Sequence, residues 1–101
     1  MAQMQLLDGA EIETVMANKT VQGTMINGAR YLEFYGANGE IRGNGYTGRW
    51  HVEGDQMCFR YRRERVPSCW EVGLMGDQVR WLKKDDVEGT GTVIPGNPYN
   101  F

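Results

Sequence analysis

No apolar run in the 101-residue chain approaches the ~20 residues that a bilayer-spanning helix requires, so a chain that crosses a membrane on helices is excluded. The first residues lack the charged start and continuous apolar stretch of a secretory leader, although Met1-Ala2-Gln3 also reads as a new start placed after a leader has been trimmed. A large excess of either charge is missing too. Eleven Lys and Arg stand against 13 Asp and Glu, a net charge of −2, whereas a nucleic-acid binder carries a strongly basic balance, and no nucleic-acid partner is expected. Histidine is limited to His51, which falls on an outward strand position with no serine or cysteine nucleophile assembled beside it. Asp85, Asp86 and Glu88 lack the ordered oxygen spacing of a calcium loop and read as a solvated connection. Consequently no catalytic residue, metal or cofactor is expected, and an enzyme is the least supported class.

A hydrophobic content of 41% suits one globular domain spanning 1–101, able to bury roughly 60–65% of its unfolded surface. Asp8 is an N-cap with Glu11 three residues on, Leu7 and Ile12 are placed as a staple, and Ile12, Val15 and Met16 share a face; a helix over about 8–17 follows. From Lys19 the period changes to two. Strands are predicted at Thr20–Ile26, Arg30–Tyr35, Glu40–Gly43, Tyr46–Glu53, Gln56–Arg62, Ser68–Leu74, Gln78–Lys83 and Gly89–Ile94. The turns between them are Asn27-Gly28, Asn38-Gly39, Asn44-Gly45, Gly54-Asp55 and Gly76-Asp77. Short local links make neighbours antiparallel, and the fold class is all-β: a meander forming a small barrel or half-barrel of about eight strands with one N-terminal helix. Gly43-Asn44-Gly45-Tyr46-Thr47-Gly48 spells G-x-G-x-x-G, but a strand follows it rather than a helix, so these glycines serve turns and close packing.

Alternation separates two faces. Tyr46, Gly48, Trp50 and Val52 point inward against Thr47, Arg49, His51 and Glu53; Met57, Phe59 and Tyr61 point inward against Cys58, Arg60 and Arg62; Trp70 and Val72 oppose Cys69 and Glu71. Tyr46, Trp50, Phe59, Tyr61, Trp70 and Trp81 therefore belong to one interior surface, which in an eight-stranded barrel either packs shut or leaves room for an apolar ligand. A two-residue turn at Arg63-Glu64 would set Cys58 directly opposite Cys69, within bridging range, with Arg60 facing Pro67. Two free thiols are the other reading. An even cysteine count in a small β domain favours the bridge, and with it a periplasmic or secreted location over a cytoplasmic one.

Gly48-Arg49-Trp50 resembles the G-x-W signature of lipocalins. The run Tyr46 to Tyr61 with Cys69-Trp70-Glu71-Val72, Gly89-Thr90-Gly91 and Pro95-Gly96-Asn97-Pro98 is similar to small calycin-like exported bacterial proteins of unknown function. The resemblance covers about the last half of the chain and departs in two respects: G-x-W lies mid-chain rather than near the start of the first strand, and the chain is too short for a full ligand-holding lipocalin. It implies a calycin-like barrel in an envelope compartment, and fold alone does not assign activity.

Arg60, Arg62, Arg63 and Arg65 make a local positive cluster suited to carboxylate or phosphate. Two functions follow: a binding protein holding an apolar or aromatic small ligand in the barrel or at a homodimer seam, and, as the alternative, an interaction or inhibitor module docking an acidic protein through the arginine hairpin.

Overall fold

A computed structural model describes residues 3–101. Its helix α1, Gly9–Met16, begins where side chains take over the unpaired amides of the first turn. Asp8 Oδ1 accepts from the Glu11 amide at 2.8 Å, and Glu11 Oε1 accepts from the Asp8 amide at 2.9 Å, a reciprocal cap that contributes about 1 kcal/mol. Gly9 is required because any side chain would meet the Gly54 carbonyl, and its amide donates to Asp55 Oδ1 at 2.9 Å. The helix stops as Ala17 turns extended and Asn18 takes φ 61°; the Asn18 amide then donates to the Tyr35 carbonyl at 2.7 Å. Ile12 and Met16, fully buried, are thereby pressed onto one end of the sheet.

The strands are β1 (Gln5–Leu6), β2 (Lys19–Met25), β3 (Arg30–Tyr35), β4 (Glu40–Gly43), β5 (Tyr46–Glu53), β6 (Gln56–Tyr61), β7 (Ser68–Met75), β8 (Gln78–Lys83) and β9 (Asp86–Pro95). Strands β2 to β9 pair antiparallel in succession, and β9 returns to β2 along Lys19↔Pro95 to Met25↔Gly89, so the sheet closes into an eight-stranded barrel. The all-β barrel with one short helix expected from the alternation is thus the observed fold. Closure leaves no free barrel edge; β1 pairs with β7 past the end of β6, Gln5 opposite Leu74 and Leu6 opposite Gly73, where the β6 ladder stops at Gln56↔Glu71.

Several local features differ from the expectation, the short β1 among them. β9 starts at Asp86 rather than Gly89, because Lys84 and Asp85 both take positive φ, 51° and 71°, and make a two-residue hairpin turn without glycine. β6 ends at Tyr61 rather than Arg62. The hairpin between β6 and β7 does not turn at Arg63-Glu64 in two residues: its ladder runs only from Gln56↔Glu71 to Phe59↔Ser68. Beyond it the Tyr61 carbonyl accepts from the Arg63 and Glu64 amides, at 2.8 and 3.0 Å, and Glu64 Oε1 takes the Tyr61 amide at 3.0 Å. Pairing with β7 is therefore replaced by an open loop over 62–67. Register survives the error, since Cys58 does stand opposite Cys69.

The barrel has two unlike ends. α1 and the links 36–39, 54–55 and 76–77 lie at one; the links 26–29, 44–45, 62–67 and 84–85 lie at the other. The helix end is packed solid by Leu7, Ile12, Met16, Val21, Ile41, Met57, Val72 and Val79, and Trp50 Nε1 donates to the Gly36 carbonyl at 2.9 Å there.

Candidate functional site

The half of the barrel away from α1 is not filled. A cavity of about 210 Å³ remains, lined by Met25, Tyr31, Glu33, Tyr35, Phe59, Tyr61, Trp70 and Trp81. Its wall is a chain of edge-to-face aromatic contacts, the geometry that ring quadrupoles favour. Phe59 is the hub, with centroids 5.7 Å from Tyr35, 5.6 Å from Trp70 and 5.4 Å from Trp81. Tyr35, fully buried, is the floor.

Glu33 is the single carboxylate of this wall and is only 5% exposed. Tyr35 Oη donates to its Oε1 at 2.9 Å, Tyr46 Oη donates to its Oε2 at 2.7 Å, and Tyr61 Oη lies 2.9 and 2.8 Å from the two oxygens. Among the described residues the one ion pair joins Arg42 and Glu40, so Glu33 has phenol donors and no cation. Burial pushes the tyrosine pKa values up, and the nearby carboxylate adds to it: Tyr35, Tyr46 and Tyr61 lie well above the ordinary value, and Tyr31 is raised to about 12. These phenols therefore stay protonated donors through the physiological range.

Inward-facing glycines make room for the rings. A Cβ at Gly43 would collide with the Tyr46 ring, and one at Gly48 would come within 2.9 Å of Tyr61 Cδ1; without them both tyrosines lie along the strands and reach Glu33. Gly23 and Gly91, directly paired, form the matching dent for Tyr31, since a Cβ at either would crowd its hydroxyl. Tyr31 Oη donates to the Thr90 carbonyl at 2.9 Å and accepts from Trp81 Nε1 at 2.7 Å. Trp70 Nε1, by contrast, is buried with no partner among the described residues, and the Lys83 ammonium stands 5.3 Å from its ring centroid.

Of the six residues expected to line the interior, Phe59, Tyr61, Trp70 and Trp81 line the cavity. Trp50 does not; it belongs to the filled half, edge-on to Tyr35 at 6.3 Å. Tyr46 reaches in only through its hydroxyl, its ring packing on Tyr61 from the rim. Glu33, Tyr31 and Tyr35 were not singled out by sequence reasoning.

The arginine cluster is not one hairpin tip. Arg60 lies in β6 on the outer face opposite Arg49, while Arg62, Arg63 and Arg65 are exposed in the 62–67 loop. His51 and Glu53 are exposed on the outer face near Cys58, but that sulfur is committed to a disulfide with Cys69, Cα atoms 4.0 Å apart, so the trio is no metal site. Around the cavity end, Ile26 is 74% and Val66 75% exposed, with Tyr46 and Val87 also showing apolar surface. No helix among the described residues is long and apolar enough to cross a membrane. Comparison with protein-family models, with curated proteins and with solved structures gives no match.

Proposed function

We propose that the protein is a small binding protein that holds an apolar or aromatic ligand in the half of its barrel away from α1. The observation that carries this reading is the 210 Å³ cavity walled by Phe59, Tyr61, Trp70 and Trp81 beside a closed half packed without such a space. Interiors of this size class ordinarily fill with side chains. A void of roughly 150 Å³ admits benzene, so this one suits a ring with a few substituents. Ile26 and Val66 leave apolar surface exposed at the same end of the barrel. The disulfide and the calycin-like sequence pattern support an oxidising, exported setting.

Native mass spectrometry of protein isolated from its natural host, followed by denaturation, tests the reading. A co-released small molecule supports it; protein that is ligand-free and takes up no aromatic probe, with indole fluorescence unchanged, refutes it.

A second reading, docking of an acidic protein, is favoured by one observation: Arg60, Arg62, Arg63 and Arg65 make no ion pair among the described residues. It calls for salt-sensitive association weakened by Arg62→Ala and Arg63→Ala together.

A further inference from the structure

Burying a carboxylate without a cation is costly, because phenol hydrogen bonds replace its hydration but leave its charge uncompensated. Glu33 is in that position at the cavity wall: three tyrosines donate to it, and no Lys, Arg or His nitrogen of the described residues pairs with it. The groups around it are rings. Tyr31, Tyr35, Phe59, Tyr61, Trp70 and Trp81 share the same cavity, and aromatic faces attract cations through their quadrupole, most strongly where water is excluded. A neutral occupant would strip the remaining water from Glu33 and offer nothing in return. An anionic occupant would be repelled at close range.

A cationic occupant would do the opposite, with its charge compensated by Glu33 and its alkyl groups against the rings. We propose that the ligand is a small monovalent organic cation, an alkylated or aromatic ammonium of about ten heavy atoms, caged by Tyr31, Tyr61, Trp70 and Trp81 with Glu33 as its counter-ion. This proposal rests on the cavity being a ligand site, and it names the charge and class of that ligand.

The test uses two probes of the same shape, phenyltrimethylammonium and tert-butylbenzene, which differ by a quaternary nitrogen in place of a quaternary carbon, with benzoate as the anion. Each is titrated into the disulfide-intact protein by calorimetry and by indole fluorescence. The ammonium is expected to bind at least about tenfold more tightly than its neutral twin, and benzoate not to compete. In Glu33→Gln, checked for folding by near-UV circular dichroism, the ammonium loses that advantage while tert-butylbenzene keeps its affinity within about twofold. Equal binding of the twins by the unsubstituted protein, or tighter binding of benzoate, overturns the proposal yet leaves a neutral or anionic ligand site standing. Failure of all three probes to bind overturns the cavity reading itself. Should Glu33→Gln not fold, the comparison of twins on the unsubstituted protein decides alone.

Discussion

Replacing Cys58 and Cys69 together by alanine cuts a cross-link between positions 11 residues apart. Chain entropy of so short a loop gives the bridge about 3 kcal/mol, exerted mainly on the unfolded chain. Cys58 is fully buried, so loss of its sulfur leaves a small void that adds up to about 1 kcal/mol. The sum, roughly 3–4 kcal/mol, is a large fraction of the 5–15 kcal/mol available to a domain of this size. At about 4–8 °C per kcal/mol it lowers Tm by roughly 12–30 °C. Calorimetric melts of the oxidised protein, the reduced protein and the double variant measure it. Reductant should lower Tm of the natural sequence and leave the double variant unmoved. Phe59 and Trp70 follow the two cysteines in sequence and face inward on the same strands with centroids 5.6 Å apart, so the near-ultraviolet signal of the indoles should weaken along with stability. A fall in Tm under about 5 °C, or the same response to reductant in both proteins, would refute the reasoning, since the loop would then not be constrained by the bridge.

Other outcomes follow from the tyrosine cage and its neighbours. Gly43→Val forces a side chain into the space of the Tyr46 ring and should cost about 1–3 kcal/mol in urea unfolding, against under about 0.5 kcal/mol for Thr47→Val on the exposed face. Trp81→Phe loses the 2.7 Å hydrogen bond to Tyr31, whereas Trp70→Phe removes a donor that has no partner among the described residues; the former should be the more destabilising by about 1 kcal/mol, and equal losses would contradict the assignment. Tyr31 titrates near 12 in the folded protein and near 10 unfolded, and Tyr35, Tyr46 and Tyr61 shift the same way. Stability from these groups is complete below pH 10 and declines as pH rises from 10 toward and past 12, the unfolded chain releasing its protons first. Absorbance of phenolate should therefore rise together with loss of tertiary signal; ionisation of these tyrosines in a chain that is still folded would speak against their burial.

The barrel was legible in the chain because its signals are local. Period-two alternation, glycine turns and the Asp8–Glu11 cap each act within a few residues, and the Cys58–Cys69 register depends only on the sum of their positions, so it survived a wrong turn length. The 62–67 loop was not legible, because Glu64 competes for the Tyr61 amide through its side chain, which a pattern of apolar residues does not register. Nor was the centre of the site. Within Arg30–Tyr35, alternation alone would favour Leu32 and Phe34 as the inward pair, yet Tyr31, Glu33 and Tyr35 occupy the interior. What makes an inward glutamate tolerable is hydroxyls from β5 and β6, 13 and 28 residues distant along the chain. The available hint was the symmetry of Tyr31 and Tyr35 about Glu33 together with inward glycines at 43 and 48, which signal rings lying flat rather than turns alone.

α1, with Trp50 bonded to the Gly36 carbonyl beneath it, covers one end of the barrel, and the proposed ligand site lies in the other half. A ligand held there as proposed would enter and leave by the end that carries the 26–29, 44–45, 62–67 and 84–85 links, so arrival and departure would share one route. Residence time of such a ligand would then be set at that end, where the 62–67 loop continues beyond the last β6–β7 ladder pair, Phe59 and Ser68, and a change there would be expected to alter both rates more than the affinity.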